Sequence, residues 1–219
     1  IRDTDRSRGL GDVYKRQRLG DLNDKTPDVI SQATNSTARK ARKLIVQSLR
    51  EHYAEDAKTK EYNAAMKIAR ASRKKYDATI YIRGKVQNLR RFNVSPKDPP
   101  ASGSSRPPTT RAQVLLQGGL KELNKGGIKA FITTFKNGDV VVAQRNGSFY
   151  TYHRPTGGID RHHEAIDKLW SISIPKMAES QLDPKTVRGN MRDTIQAILV
   201  EEIEKQIARQ LAKHGGNAG

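Results

Sequence analysis

The sequence predicts an α+β fold: an antiparallel sheet packed by a basic N-terminal helix and a long C-terminal helix. Three observations predict it. A helical apolar period runs through residues 29–53, two β-rich runs flank Asn137-Gly138, and an apolar stripe at helical spacing occupies the last thirty-odd residues. Runs of helix at the two ends with strands between them describe segregated layers rather than alternating βαβ units.

The first element opens at Thr26, which can cap. Pro27 suits a first helical turn, and Asp28 complements the positive helix end. Val29, Ala33, Thr37, Ala41, Leu44, Ile45, Ser48, Leu49 and Tyr53 share one face, and Arg39, Lys40, Arg42, Lys43 and Arg50 run between them. The expectation is an amphipathic helix of about 25 residues with a basic outer face. A second helix is expected over 59–71, where Tyr62, Ala65, Met66 and Ala69 share a side. Residues 78–83 read as a strand, Gly84-Lys85 as a turn, and 89–94 as the returning strand. Residues 95–111 hold five prolines with Ser, Gly and Thr, and are expected to form a loop. The segments on either side are each too small to bury a sheet face alone, so the loop is not read as a domain boundary.

Strand character resumes at 111–117. Residues 128–135 and 140–145 around Asn137-Gly138 carry a hairpin signature, since both central positions tolerate positive φ. Another short strand is expected at 148–152, a polar loop at 154–168, and an alternating run at Trp170-Ser171-Ile172-Ser173-Ile174-Pro175. Asp183-Pro184 starts the final helix. Val187, Met191, Ile195, Ile198, Leu199, Ile203, Ile207 and Leu211 make its stripe, and Gly215-Gly216 ends it. That helix should cover one sheet face. No internal repeat is found.

Composition narrows the function classes. The 219 residues include 41 Lys+Arg against 23 Asp+Glu, a formal net charge of +18, so the natural neighbours are polyanions or acidic protein surfaces. With 35% hydrophobic and 5% aromatic residues the core must be modest. There is no cysteine, which excludes disulfides and Cys-type zinc sites. No apolar run approaches the roughly 18 residues of a membrane span, so no membrane partner is expected. Asp12-Val13-Tyr14-Lys15-Arg16-Gln17 reads as a transposon mosaic-end adapter translated in one frame. Residues 1–17 are therefore expected to be a sequencing-adapter artefact on a truncated gene, against the alternative of a basic tail, leaving 18–219 as a single α+β domain. Without residues 1–17 the net charge is still +16.

Catalytic signals are sparse. His162-His163-Glu164 is the only dense cluster of ligands or acid–base groups, and neighbouring His residues project in different directions. A metal site there would need His153 or Asp160, so a solvated surface loop is the expectation, with no cofactor and no enzyme activity. Gly118-Gly119, Gly126-Gly127 and Gly157-Gly158 lack a following Gly-Lys-Ser/Thr and read as turns. Basic clustering is the stronger signal. Arg39, Lys40, Arg42, Lys43, Arg73, Lys74, Lys75, Arg90 and Arg91 are the candidate contacts to DNA or an acidic partner, with Arg70 and Lys85 beside them. Tyr76, Tyr81 and Phe92 interleave with these cations; burial in the sheet is expected for them rather than base stacking.

Four blocks in order then resemble the prophage minor tail protein Z (phage tail completion) family, over about residues 30–213. They are Ala33-Thr34-Asn35-Ser36-Thr37-Ala38-Arg39; Ala78-Thr79-Ile80-Tyr81-Ile82-Arg83-Gly84 with Leu89-Arg90-Arg91-Phe92-Asn93-Val94-Ser95-Pro96; Ala130-Phe131, Lys136-Asn137-Gly138 and Val142-Ala143-Gln144-Arg145; and Leu169-Trp170-Ser171-Ile172-Ser173-Ile174-Pro175-Lys176-Met177. The 146–168 stretch departs from the pattern, being longer and richer in His. The resemblance implies a structural virion protein that completes the head-proximal end of a long tail and aids head–tail joining. It implies no catalytic residues. Implied partners are the tail tube or tail terminator protein, the head–tail connector and genomic DNA in the tail channel; virion symmetry motivates a homo-oligomeric ring. The implied location is the virion tail, with host cytoplasm during assembly. Charge alone supports a rival reading, a sequence-independent nucleic-acid-binding protein, and His162 with His163 a weaker one, a metal-dependent nuclease.

Overall fold

The computed structural model describes residues 4–56, 59–101, 108–152, 161–182 and 191–215. Helix α1, Thr4–His52, is longer than the apolar period implies and carries Pro27 in its interior instead of its first turn. A proline there removes one i→i−4 hydrogen bond. The helix is held on its C-terminal side by the predicted face: Ala33 and Leu49 are fully buried, with Val29, Ala41 and Ile45 beside them. Thr37, buried on the same face, donates its hydroxyl to the Ala33 carbonyl at 2.9 Å, so it adds no unsatisfied group.

The chain then runs extended through 53–56 and wedges between two other segments. Ala54 N donates to the Val114 carbonyl (2.9 Å), Asn93 N donates to the Ala54 carbonyl (3.0 Å), and Asp56 N donates to the Arg91 carbonyl (2.7 Å). Helix α2, Thr59–Ala65, is only half of the expected second helix; Met66–Ala69 continues as strand β1. The four residues Met-Lys-Ile-Ala alternate in burial, which a strand uses and a helix does not. β1 pairs antiparallel with β2 (Thr79–Ile82), Met66 opposite Ile82.

The expected hairpin of 78–83 with 89–94 does not form. Past β2 the chain makes β3 (Val86–Asn88), a 3-10 turn at Leu89–Arg91 and β4 (Asn93–Ser95), and β4 pairs with β5 (Arg111–Gln113). Gly84 lies against Pro175: a Cβ there would sit 3.3 Å from Pro175 Cδ, so the ring would have to give by a few tenths of an ångström. The two-residue strands β6 (Lys121–Glu122), β7 (Asn124–Lys125) and β8 (Ile128–Lys129) follow, with Gly126-Gly127 as the β7–β8 turn.

The predicted hairpin is present as β9 (Phe131–Thr134) and β10 (Val140–Tyr152). Its turn has three residues, not two. Phe135 N donates to the Asp139 carbonyl and Gly138 N to the Phe135 carbonyl, and Gly138 takes φ +83 while Asn137 stays at negative φ. This is a tight turn closed by a left-handed glycine. Asn137 instead accepts from Asp139 N and donates to its carboxylate. The stretch expected as a polar loop contains β11, Arg161–Lys168, which pairs along β10 and makes the three-stranded order β11-β10-β9. β12 (Trp170–Ser173) pairs with β3, then α3 (Ile174–Leu182) and α4 (Met191–Gly215) follow. The expected helix start at Asp183-Pro184, with Val187, lies outside the described residues, as do His153, Gly157-Gly158 and Asp160. Part of the proline-rich loop, 102–107, does too.

The class is therefore mixed α+β with the two expected helices. The chain divides into two compact units. One holds Ile1–Ile45, Met66–Ile82 and Gln181–Gly219; the other holds Val46–Ala65 and Arg83–Ser180. The first contains β1–β2 and α4, so α4 shares its unit with the two-stranded sheet and the start of α1. The second contains the β11-β10-β9 sheet, the β4-β5-β6 sheet, α2, and α3 as far as Ser180.

Candidate partner interface

The nine candidate cations divide between the units: Arg39, Lys40, Arg42, Lys43, Arg73, Lys74 and Lys75 fall in the first, Arg90 and Arg91 in the second. In the first unit α1 presents Arg39 and Lys43 to solvent, and neither makes an ion pair among the described residues. Arg42 is half-buried and its Nε has no hydrogen-bond partner, so its stem packs while its head is poorly placed for a ligand.

Lys40 is engaged. Its ammonium lies 2.8 Å from Glu202 and 3.6 Å from Glu201 on α4. The residues α4 buries most are Glu202 and Gln206, while the predicted apolar stripe at Ile195, Ile198, Leu199, Ile203 and Ile207 is half-buried. A buried carboxylate needs partners. The hydrogen bond from Lys40, followed by one from Ser36, holds Glu202 below the usual carboxylate range, and Glu202 in turn raises Lys40. A folded-state pKa below the unfolded value near 4.5 stabilises the fold above that value, and the gain is lost as pH falls through the folded pKa. Glu202→Gln should therefore cost about 1 kcal/mol near neutral pH and nothing at the acid end. Urea melts of both proteins across pH measure this; a gap that does not close on acidification would refute it.

Beyond β1, Asn35 clamps the chain to α1 by donating to the Ala71 carbonyl (3.0 Å) and accepting from Ala71 N (2.8 Å). The following basic turn is exposed. Arg73 pairs with Asp28 at 2.9 Å and Lys75 with Asp77 at 3.4 Å, while Lys74 has no ion pair among the described residues. Exposed pairs of this kind are worth about 0–1 kcal/mol and yield easily to a stronger anion. Tyr76 and Tyr81 were expected in the sheet interior but are about half exposed; only Phe92 of the three aromatics is buried. Tyr81 sits on a two-stranded sheet, which cannot cover both its faces.

In the second unit Arg91 is a structural cation. Its Nε lies 3.2 Å from Glu55 Oε1, and its Nη2 contacts Glu61. The Glu55 side chain is fully buried, and Tyr62 donates its hydroxyl to Glu55 Oε2 at 2.8 Å. Burial pushes the Glu55 carboxyl up, against the Tyr62 hydrogen bond and the Arg91 charge, and burial with Glu55 alongside pushes the Tyr62 phenol up. Burial pulls Arg91 down, but the bond to Glu61 and the charges of Glu55 and Glu61 hold it above its ordinary value. Arg90 is looser: its Nη2 is 3.7 Å from Asp98 and its Nε donates to the Lys97 carbonyl at 3.3 Å.

His162 and His163 lie exposed on strand β11 rather than on a loop. As neighbours on a strand they face opposite sides. His162 Nδ1 is 3.1 Å from the Thr151 hydroxyl, His163 stacks on Tyr150, and Glu164 pairs with Arg145. No group of three metal-ligating side chains occurs among the described residues. No described helix is long and apolar enough to cross a membrane. Arg50, read on the basic face of α1 but not among the candidate contacts, and Lys97, not singled out at all, line one cleft with Arg90. No sequence signal links them, because they sit far apart in the chain at a helix end and in the proline-rich segment.

The nearest thing to a functional surface is thus a set of exposed cations with no catalytic group among them. Comparison with known proteins adds one match: the model of the prophage minor tail protein Z family fits residues 16–214, nearly the whole chain. None of the curated proteins and none of the solved structures compared with the chain matches it. The chain belongs to the prophage minor tail protein Z family and is a structural component of a phage tail.

Proposed function

We propose that this protein completes the head-proximal end of a long phage tail and helps join it to the capsid, without catalysing a reaction. Membership of the minor tail protein Z family carries the reading. The +18 charge fits it, since tail tube or terminator subunits, the connector and DNA in the tail channel offer acidic surfaces or phosphates. Copies would stand in a ring around the tail axis. The virion tail is then its destination and the host cytoplasm its place of assembly.

The test is complementation. The purified full chain is added to a lysate of a phage defective in tail completion, and infectious particles are counted. Titre should rise only when the protein is present while tails mature. Folded protein that neither binds tails nor raises the titre would sink the proposal. The exposed cations Arg39, Lys43 and Lys74 favour one second reading, a nucleic-acid-binding protein acting apart from the tail. Tight, salt-sensitive duplex binding without any effect on tails would favour it.

A further inference from the structure

A cleft of about 660 Å³ opens in the second unit beside the extended segment 53–56. Tyr53, Phe92 and Leu116 contribute its apolar lining, and Arg50, Arg90 and Lys97 its cationic one. The three cations come from three separate segments: the last turn of α1, the 3-10 turn after β3, and the chain following β4. Their charges are poorly neutralised. Arg50 hydrogen-bonds only the neutral Thr59 hydroxyl, at 3.1 Å, and makes no ion pair among the described residues. Lys97 makes no ion pair among them either. Arg90 has Asp98 at 3.7 Å, a carboxylate 85% exposed and easily displaced. On the acidic side, Glu55 also lines the cleft but is taken up by Arg91 and Tyr62, which leaves Asp56 as the opposing charge.

We propose that this cleft binds a phosphoryl oxyanion, with Arg50, Arg90 and Lys97 as its contacts. Two guanidinium groups, each with N–H donors left beyond the Lys97 carbonyl and the Thr59 hydroxyl, and an ammonium on a separate segment match a group with up to three free oxygens and up to two charges better than a single carboxylate. A concave wall with a surplus of cations, three against Asp56 once Glu55 is taken up by Arg91, also focuses the field on an entering anion, which the convex face of α1 at Arg39 and Lys43 does not do. The phosphoryl group is either free, as phosphate or a small phosphorylated molecule, or part of a DNA backbone.

The test uses the full chain. Thermal unfolding is followed while inorganic phosphate replaces sodium chloride at constant ionic strength. A short duplex is titrated separately by fluorescence anisotropy at several salt concentrations. Phosphate should raise the melting temperature of the wild type above the chloride control. Arg50→Gln with Lys97→Ala should lose that rise and weaken phosphate binding at least about tenfold. Arg39→Ala with Lys43→Ala should keep it. If duplex affinity and its salt slope fall in the Arg50→Gln/Lys97→Ala variant, the source is backbone phosphate; if they hold while the phosphate response is lost, the source is a free phosphoryl group. No selective response to phosphate in the wild type, or a response kept by that variant when its melting temperature in chloride matches the wild type, overturns the assignment. Neither result bears on tail completion, which the infectivity count reads on its own.

Discussion

Arg91→Ala should lower the free energy of unfolding by about 3 kcal/mol at neutral pH, because it strips the guanidinium from a fully buried Glu55 carboxylate. Tyr62 still donates to that carboxylate, which keeps the loss from growing further. The pH dependence follows from the direction of the Glu55 shift. Its folded pKa lies above the unfolded value near 4.5, so Glu55 favours the fold below that value, and the benefit is lost as pH rises through the raised pKa. Removing Arg91 raises that folded pKa further. The cost of Arg91→Ala is then greatest at neutral pH and shrinks in acid. Glu55→Gln in the same chain should recover most of it, since the neutral amide still accepts from Tyr62 and needs no cation. Urea unfolding of the single and double variants between acid and neutral pH decides the matter. A loss that ignores both pH and the second substitution would show that Arg91 acts through packing alone. If Arg91 met DNA instead, stability would barely change and duplex affinity would fall.

Leu49→Ala should cost about 3 kcal/mol as well, by a different route. Leu49 has no exposed surface, and truncation leaves a cavity in a wall that closes only partly. Arg39→Ala, ten residues up the same helix, should stay within about 0.5 kcal/mol because the side chain is exposed. Thermal melts of the two variants compare them directly. A Leu49→Ala loss no larger than that of Arg39→Ala would mean that the base of α1 is not packed as described.

Those two positions also mark what the amino-acid order discloses. A helical period needs only local spacing, so Ala33, Ala41 and Leu49 on one face were legible. The β9–β10 hairpin was legible from Asn137-Gly138, although the turn type was not, because Asn137 spends its side chain on Asp139 instead of adopting positive φ. Residues 66–69 were read as helix because Tyr62, Met66 and Ala69 also fit a helical face. Only the pairing of Met66 with Ile82, from a distant segment, makes them a strand. β11 was read as a loop because its side chains are polar and both sides of its outer half are wet, so no apolar alternation announces it. The family resemblance placed the chain where the family model also places it. The candidate cations were harder. Charge clusters in sequence say where Lys and Arg are, but the carboxylates that occupy Lys40, Arg73 and Arg91 come from Glu202, Asp28, Glu55 and Glu61, far off in the chain. The cleft cations are scattered in the same way.

The first compact unit is drawn from three separated stretches of the sequence, with Lys40 of the first meeting Glu202 of the last. A ribosome delivers those parts in order, so α1 emerges with Lys40 lacking its carboxylate and waits for Glu202 until the whole stretch between α1 and α4 has been made. Such late closure between distant segments is slow compared with local folding and leaves nascent chains open to aggregation and proteolysis. A prematurely terminated product lacking α4 keeps every local signal for α1 and still cannot finish the unit.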